Sequence, residues 1–347
     1  MTSTALDTPP PAPTARRIGT AALGRALRRI GFLPALLTVL ILLLVLFEPR
    51  FVGMFNIFNV LRNSCALMIV AAGQMLVLVV GGFDLSVGAV IALTSVVTAK
   101  VMAVMLEASP DQVPMAIAAG IAAGMACGFV TGLINGACVA FLRISPFMVT
   151  LGTSSIATGV ALLLTNGIPI YGMPEVFVKD FGRAIWFGLP MPVYVSLAVL
   201  LLVWVMQKQT TVGRYIHAIG GNVQAAMVSG VNTNFYLILA YTLCGMLASL
   251  TSLLLTARLG SGQATMSGNL MLESIAAAVI AGVSLRGGVG RVEMVALSAL
   301  FLSILTNAMN LLKINSKIQT IFMGIIVVAA VALDELAKRR NQDARER

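Results

Sequence analysis

The stretch ALMIVAAGQMLVLVVGGFDLSVGAVIALTSVVTA, residues 66–99, is apolar except for a short interruption near its centre. The interruption holds two adjacent glycines, Gly81 and Gly82, and the only carboxylate of the stretch, Asp84. About 20 apolar residues are enough to cross the hydrocarbon core of a bilayer as a helix. The apolar run over 58–106 is too long for one crossing, so the sequence predicts two helices joined by a tight turn.

The composition of the whole chain agrees with a membrane location. Of its 347 residues, 59% are hydrophobic and 10% are charged, and the mean hydropathy is +0.96. A soluble domain needs more charge than this to cover its surface. Backbone polar groups inside a bilayer must be satisfied internally, and the alternating pattern of a membrane barrel is absent. We therefore predict an all-α integral membrane protein.

Ten apolar runs are candidates for membrane spans, and an even number places both termini on one side of the membrane. The tails, residues 1–30 and 335–347, are basic, which predicts that both termini are cytoplasmic and that 31–334 forms the transmembrane domain. We expect the Pro-rich start of the first tail to be disordered. The predicted spans are 31–47, 58–80, 85–106, 113–141, 147–165, 190–206, 235–257, 272–285, 291–312 and 318–334.

The net charge of +10 does not indicate nucleic-acid binding, because ten of the 23 Lys and Arg residues lie in the two tails. That distribution favours contact with anionic headgroups of membrane lipids. The four cysteines lie in or beside apolar runs, and no pair has the spacing of a metal site. We expect neither a metal centre nor a disulfide framework.

The interruption at Asp84 has two interpretations. Gly81 and Gly82 permit the positive φ angle at which a helix ends, and Asp84 can then accept hydrogen bonds from the amides that begin the next helix. Alternatively, Asp84 faces a solute pathway or a partner subunit, since an acid in a membrane segment is often functional. A related stretch, AGVSLRGG at 281–288, repeats three of its residues 200 positions later, by chance or through duplicated halves.

The longest connection predicted on the cytoplasmic side is the loop at about 207–234. Gly220 and Gly221 are expected to break the chain there, Asn222 to cap a short helix, and Gly230 to end it. Apolar residues of that helix recur on one face, which makes it amphipathic. Such a helix either lies on the membrane surface or fits into a groove of a partner protein.

Four stretches together resemble one known family. GGFDLSVGAVIALT, NGACVAFLRISPFMVTLGTSSIATGVALLLTNG, GRYIHAIGGNVQAAMVSGVN and IAAAVIAGVSLRGGVG are similar to signature stretches of ABC permeases that import ribose- and galactose-type sugars. They occur in order, and the resemblance extends from about residue 35 to 335. It implies a dimeric type II importer fold, similar to the vitamin B12 importer permease. It also implies an ATPase subunit that binds ATP and Mg in the cytoplasm, a periplasmic sugar-binding protein, and a second permease copy, identical or related.

The resemblance also assigns roles to residues of the cytoplasmic loop and favours its interpretation as a docking element. The residues that match the family's coupling region are Gly213, Arg214, Gly220, Gly221 and Asn222. The chain departs from the family pattern in two places. Met271, Leu272 and Glu273 replace Glu-Leu-Asp, and the segment 287–290 reads Gly-Gly-Val-Gly in place of Gly-Gly-Arg-Gly. These departures bear on the exact solute more than on the class of protein.

The residues themselves also favour a permease without its own energy source. The chain has no Gly-rich loop followed by Lys and Ser or Thr, so we expect no ATPase site in it and no cofactor of its own. Acids within the spans are few, which suits a neutral, hydroxylated solute. We expect import of a monosaccharide across the inner membrane. The alternatives are an ABC permease for a nucleoside or an amino acid, and a carrier that works alone on an ion gradient.

Uncharged polar residues within the apolar runs are candidates for the solute pathway. They are Gln74, Thr94, Asn135, Thr150, Ser154, Ser155, Asn307 and Asn310. Taken singly, such a residue more often forms a hydrogen bond between two helices than lines a pathway. Glycines that recur every four residues from Gly120 to Gly132 predict close packing of one helix against another. No catalytic residue is predicted.

Overall fold

The structure, a computed structural model, describes residues 32–343, except for the side chains of 32, 330 and 333–343. The predicted N-terminal tail, 1–30, lies outside the described residues. The helices are α1 Phe32–Phe47, α2 Met54–Val79, α3 Val87–Ala108, α4 Val113–Phe141, α5 Pro146–Thr165, α6 Met191–Gln209, α7 Thr211–Gly221, α8 Val223–Val228, α9 Thr233–Leu259, α10 Leu270–Ile280, α11 Val292–Leu311 and α12 Ser316–Asp343. The predicted all-α fold is confirmed.

The remaining regular structure is short. A 3-10 turn, Pro49–Val52, joins α1 to α2, and a π-helical segment, Phe177–Arg183, precedes α6. Two strands, β1 Ile185–Trp186 and β2 Leu189–Pro190, pair antiparallel, with Trp186 opposite Leu189. These elements lie in connections between long helices and do not form a layer of their own.

Seven of the described helices are long and apolar enough to cross a membrane, namely α2, α3, α4, α5, α6, α9 and α11. The other three predicted spans match shorter apolar segments, Leu33–Phe47, Leu270–Ile280 and Ser316–Ala329. The count of ten crossings is therefore not confirmed. The span predicted at 272–285 is too long, because α10 ends at Ile280 and a series of turns follows.

Contacts between the connections that join the helices place them in two groups, one at each end of the molecule. At one end, which we call the coupling end, the segments 80–86, 210–222 and 281–291 touch one another. At the opposite end, the connections 166–190 and 258–269 meet through the bridge between Ile170 and Gly262. This arrangement matches the alternation of the predicted spans. Which end faces the cytoplasm stays a prediction.

Helix α2 lies at the centre of the fold. Every residue from Ile69 to Val80 is buried, and α2 contacts α6, α9, α10 and α11. A helix that is apolar on all sides must be enclosed in this way. Consequently, both ends of α2 are close to the connections of several other helices, and its C-terminal end reaches the coupling end.

Helix α4 packs closely against α9, and at its first two glycines against α3, along a glycine stripe. The buried glycines of α4 are Gly120, Gly124, Gly128, Gly132 and Gly136. A Cβ atom added at Gly128 would collide with the carbonyl oxygen of Gly245 on α9. The predicted close packing is thus confirmed. Hydroxyl groups hold α9 against α3 as well, since Thr94 Oγ1 lies 2.8 Å from Ser249 Oγ, as expected for helices in a bilayer.

Helix α10 is too short to cross a bilayer by itself. Its 11 residues extend about 16 Å, whereas the hydrocarbon core is about 30 Å thick. The non-helical segment before it, 260–269, enters the protein interior, where the Gln263 amide donates to the buried Ser95 Oγ of α3 at 3.2 Å. Irregular backbone at membrane depth is tolerated where protein encloses it.

Candidate functional site

The turn after α2 ends the helix with a left-handed glycine. Gly81 has φ +83°, and the Gly82 amide donates to the Val77 carbonyl at 2.9 Å, the bond pattern of a helix C-terminus closed by glycine. A Cβ atom at Gly82 would lie 2.5 Å from the Tyr241 hydroxyl oxygen. Both glycines are therefore required, one for its backbone angle and the other for its small size.

Asp84 closes a small turn in front of α3. Its Oδ1 accepts from the Ser86 amide at 2.8 Å and from Ser86 Oγ at 2.6 Å. Asp84 thus bonds the residue that precedes α3 and not, as predicted, the amides of the first helical turn. Burial raises the pKa of the Asp84 carboxyl, and the hydrogen bonds from Ser86 oppose that shift. A role of Asp84 in a pathway or at a subunit contact stays a prediction.

The turn after α10 repeats the geometry of the turn after α2. Gly282 has φ +81°, and the Val283 amide donates to the Ala278 carbonyl at 3.0 Å. The equivalent left-handed glycines are Gly81 and Gly282, so the structural spacing is 201 residues and not the 200 of the sequence identities. The two turns meet, because the Gly288 amide donates to the Val79 carbonyl at 2.8 Å.

The cytoplasmic loop predicted at 207–234 contains two helices, α7 and α8, where the sequence predicted one. Gly220 and Gly221 are the last residues of α7, so the prediction that they break the chain is wrong. The break is at Asn222, with φ −160°, whose Oδ1 accepts from the Ala225 amide at 2.9 Å. The cap at Asn222 and the helix stop at Gly230, φ +82°, are as predicted.

Gly220 brings the backbone of α7 against both turns. A Cβ atom at this position would collide with the Val79 carbonyl oxygen and with the Gly288 amide nitrogen. From the other side, a Cβ atom at Gly287 would lie 2.8 Å from the Gly220 carbonyl oxygen. At Gly221, by contrast, an added Cβ atom meets nothing within 4 Å. We call the contact of Gly220 with Val79, Gly287 and Gly288 the glycine junction.

Two side chains to which the sequence assigned no role attach α6 and α7 to the segment before α11. Gln207 Nε2 donates to the Gly290 carbonyl at 2.8 Å, and Gln207 Oε1 accepts from the Val292 amide at 3.1 Å. His217 Nε2 lies 3.1 Å from the same Gly290 carbonyl. In the sequence, the signal for Gln207 was a glutamine directly after an apolar run. The contacts of Gln207 and His217 therefore stabilise one side of the glycine junction.

The predicted coupling residues Gly213 and Arg214 lie beside Gln207 and His217. Gly213 packs tightly, since an added Cβ atom would lie 2.5 Å from Gln207 Cα. Arg214, Lys208 and Arg291 line a basic cavity of about 440 Å³ at the coupling end. Two of these bases also pair with Glu293, Arg291 at 3.0 Å and Lys208 at 3.7 Å.

Helix α8 presents apolar side chains at the surface of the coupling end. Of the predicted apolar face, Ala226 is buried, whereas Val223 and Met227 are 45% and 51% exposed. The next residue, Val228, is 90% exposed. The face therefore does not pack inward as a unit, and α8 forms a small apolar tip that is available to a partner protein or to lipid.

Most of the polar residues predicted for the pathway near the coupling end make contacts between elements, and Gln74 is the exception. Asn135 Nδ2 donates to Ser86 Oγ at 2.9 Å. Thr150 Oγ1 lies 2.8 Å from the Pro146 carbonyl of its own helix and 3.3 Å from the Phe83 carbonyl. Gln74 is buried in α2, and its amide group has no hydrogen-bond partner among the described residues. Thr94 bonds α9 as described above.

The other predicted pathway residues lie elsewhere. Asn307 exchanges two hydrogen bonds with Asn56, at 2.7 and 3.1 Å, toward the opposite end. Asn310 accepts from Gln319 Nε2 at 2.8 Å. On α5, Ser154 is half-buried and Ser155 bonds its own helix. The structure thus distributes these residues over both ends, and their part in a pathway stays a prediction.

One protein family and several known permeases match this chain over most of its length. The family described as "Branched-chain amino acid transport system / permease component" matches residues 56–331. The ribose import permease protein of Escherichia coli strain K12 is 38% identical over 304 residues, which cover 86% of this chain and 91% of that protein. The galactose/methyl galactoside import permease protein of the same strain is 34% identical over 321 residues, 90% and 96% of the two chains. No solved structure gives a significant match.

Proposed function

This chain belongs to the permease-component family that matches residues 56–331, and from that premise we propose that it is the membrane subunit of an ATP-driven importer for a monosaccharide. The observation that carries the proposal is the 38% identity to a ribose import permease over 86% of the chain. Similarity to permeases for galactose and L-arabinose supports a sugar as the solute. Seven helices suited to membrane crossing support a multi-pass protein of the inner membrane.

The energy for import is supplied, in this proposal, by an ATPase subunit that docks at the coupling end. The exposed apolar tip of α8 offers the docking surface, and the glycine junction joins α7 to α2 and to the turn after α10. Both termini are then cytoplasmic, in agreement with the basic residues of the tails. ATP and Mg are bound by that partner, and this permease forms the transmembrane pathway for the solute.

The coupling step follows from the backbone contacts of α7. Since packed backbone atoms cannot deform separately, a displacement of α7 displaces the end of α2 and the turn after α10 with it. Two permease copies that rock against each other in this way open a shared pore alternately to each side. A periplasmic sugar-binding protein delivers the solute at the opposite end.

Docking of the ATPase can be tested at the tip of α8. Val228→Glu places a charge in an apolar contact, and we expect the affinity for the ATPase subunit to fall about tenfold. The matched control is Phe187→Glu, which changes a 98% exposed apolar residue in the turn between β1 and β2. Co-purification in detergent measures both variants. Equal loss in both, or no loss at Val228, would exclude α8 as the docking element.

An amino acid is the second candidate solute. The description of the matched family names branched-chain amino acids, and one cavity of the chain is lined by both an acid, Glu273, and a base, Arg258. A zwitterion could pair with both groups.

A substrate panel decides between the two candidates. The permease is reconstituted in liposomes with its ATPase and binding protein, and ATP-dependent uptake of labelled D-ribose, D-galactose, L-arabinose, D-allose and L-leucine is measured. We expect accumulation of at least one sugar, reduced by an excess of the same unlabelled sugar, and no accumulation of leucine. Uptake of leucine without uptake of any sugar would contradict the proposal.

A further inference from the structure

A cavity of about 370 Å³ lies among α2, α9, α10 and α11, toward the end opposite the coupling end. Its volume is in the range of about 300–1,000 Å³ that small-molecule sites occupy. The polar residues that line it are Asn63, Arg258, Glu273, Ser303 and Thr306, and apolar side chains such as Leu255, Met266 and Leu270 complete the wall. None of these polar residues was predicted for the solute pathway from the sequence.

The carboxylate of Glu273 has no protein partner in the part of the chain that the structure describes. It lies in the first turn of α10 and is half-buried, with neither a hydrogen bond nor an ion pair from another described residue. An acid held inside a membrane protein is costly unless it is paired or solvated. Glu273 is therefore placed to bond water or a solute within the cavity.

Arg258 supplies the opposite charge from the last turn of α9. Its Nη1 donates to Asn63 Oδ1 at 2.7 Å and its Nη2 to Asn59 Oδ1 at 3.3 Å, which fix the guanidinium plane. These bonds use two of the five N–H groups of the side chain. The remaining N–H groups are donors that a bound solute can engage. One acid and one base leave the cavity without net charge, which suits a neutral solute.

Helix α11 adds two hydroxyl groups to the cavity wall. Ser303 and Thr306 are three residues apart and so lie on one face of the helix. Neither hydroxyl makes a hydrogen bond to another described residue. Carboxylate, guanidinium and hydroxyl groups beside apolar side chains are what a monosaccharide requires, because its hydroxyls donate and accept while its ring carbons pack on apolar surface.

We propose that this cavity is a binding site for one monosaccharide on its way through the permease, with Glu273 and Arg258 as its principal hydrogen-bonding groups. The inference rests on the proposed function and adds a site to it. In the orientation proposed above, the cavity lies on the periplasmic side, where the binding protein releases its sugar.

Helix α10 also connects this site to the coupling end. It carries Glu273 in its first turn, and the turn after it reaches Gly220 through Gly287 at the glycine junction. A glycine with positive φ stands on either side of the helix, Gly268 at +46° and Gly282 at +81°, and no atom lies within 4 Å of a Cβ atom built at either one. Helix α10 therefore links the cavity to the glycine junction, and in this proposal movement of α7 alters the position of Glu273.

Glu273→Gln tests the site in the reconstituted complete transporter. The amide keeps the size of the side chain and removes its charge, so we expect sugar uptake at low sugar concentration to fall about tenfold or more. ATP hydrolysis stimulated by the loaded binding protein should remain near the wild-type rate, since docking surfaces are unchanged. The matched control is Glu107→Gln, which changes an exposed acid near the end of α3 and should leave uptake unaltered.

The outcomes separate this inference from the proposed function. If the wild-type transporter imports a sugar and Glu273→Gln imports it equally well, the cavity is not the binding site, although the importer stands. If uptake and ATP hydrolysis fall together in Glu273→Gln, the residue supports the fold and the inference is also overturned. If the wild-type transporter imports no sugar, the proposed function itself fails.

Chemical labelling gives a second measurement that does not depend on the activity of an acid variant. Thr306→Cys places a thiol in the cavity wall, and a membrane-impermeant thiol reagent is added from the binding-protein side. We expect the imported sugar at saturating concentration to slow labelling of this thiol. Asp111→Cys, in the exposed turn between α3 and α4, is the control whose labelling should not respond to sugar. Labelling of Thr306→Cys that is equally insensitive would overturn the inference.

Discussion

Gly220 and Gly221 are neighbours in the chain, but the space around their Cα atoms differs. Because of this difference, the proposed coupling is assigned to Gly220. A side chain at Gly220 would meet backbone atoms of Val79 and Gly288, whereas a side chain at Gly221 would meet nothing within 4 Å. Backbone atoms cannot rotate aside as a flexible side chain can. The resemblance to sugar-importing permeases assigned both glycines to coupling and did not separate them, because the contact is made with residues distant in the chain.

Gly220→Ala should therefore destabilise the protein, although alanine is the better helix former. Overpacking costs about 1–3 kcal/mol and exceeds the gain of about 1 kcal/mol from helix propensity. Thermal unfolding of the purified protein measures the effect, with Gly221→Ala as the matched control that should unfold at or slightly above the wild-type temperature. Equal unfolding temperatures for the two variants would contradict the glycine junction.

At Asp84, the two interpretations of the carboxylate predict different results. Asp84→Asn retains an Oδ1 acceptor for Ser86, so we expect its stability to stay within about 1 kcal/mol of the wild type. Asp84→Ala removes both hydrogen bonds and should cost roughly 1–2 kcal/mol. Unfolding and uptake are measured on both variants. A complete loss of uptake in a well-folded Asp84→Asn protein would show that the charge is functional.

Among the helices, the close approach of α4 and α9 depends on glycine. Gly128→Ala would place a methyl group on the Gly245 carbonyl and the Ser249 hydroxyl, and we expect a loss of about 1–3 kcal/mol. Gly159→Ala, on α5, is the control, because no atom lies within 4 Å of its added Cβ atom. Thermal unfolding in detergent compares the two. If Gly159→Ala lowers the unfolding temperature as much as Gly128→Ala does, close packing of α4 on α9 does not explain the effect.

Sequence patterns predicted the elements where local chemistry decides them. The glycine turn after α2, the cap at Asn222 and the stop at Gly230 each follow from residues within a few positions. Helix α10 was predicted too long because its apolar run continues past Ile280, whereas the left-handed Gly282 ends the helix there. The extension of α7 through Gly221 was missed for a different reason, since tertiary packing overrides the low helix propensity of glycine.

For the whole molecule, composition and the four resembling stretches predicted the class of protein, and the comparisons bear this out. The cavity was not predictable, because Glu273 and Arg258 are brought to one place by the irregular segment 260–269, which has no periodic pattern. The glycine junction likewise joins Val79, Gly220 and Gly287, which lie more than 60 residues apart along the chain. Contacts of this kind depend on the packing of the complete fold.

We propose that a partner ATPase at the coupling end drives solute through this permease, which supplies no energy of its own. Uptake of labelled D-ribose, or of another sugar found in the substrate panel, into liposomes tests it most directly. The permease alone should accumulate no sugar on a proton or sodium gradient, and addition of the ATPase, the binding protein and ATP should start accumulation. Uphill uptake by the purified permease alone would contradict the account.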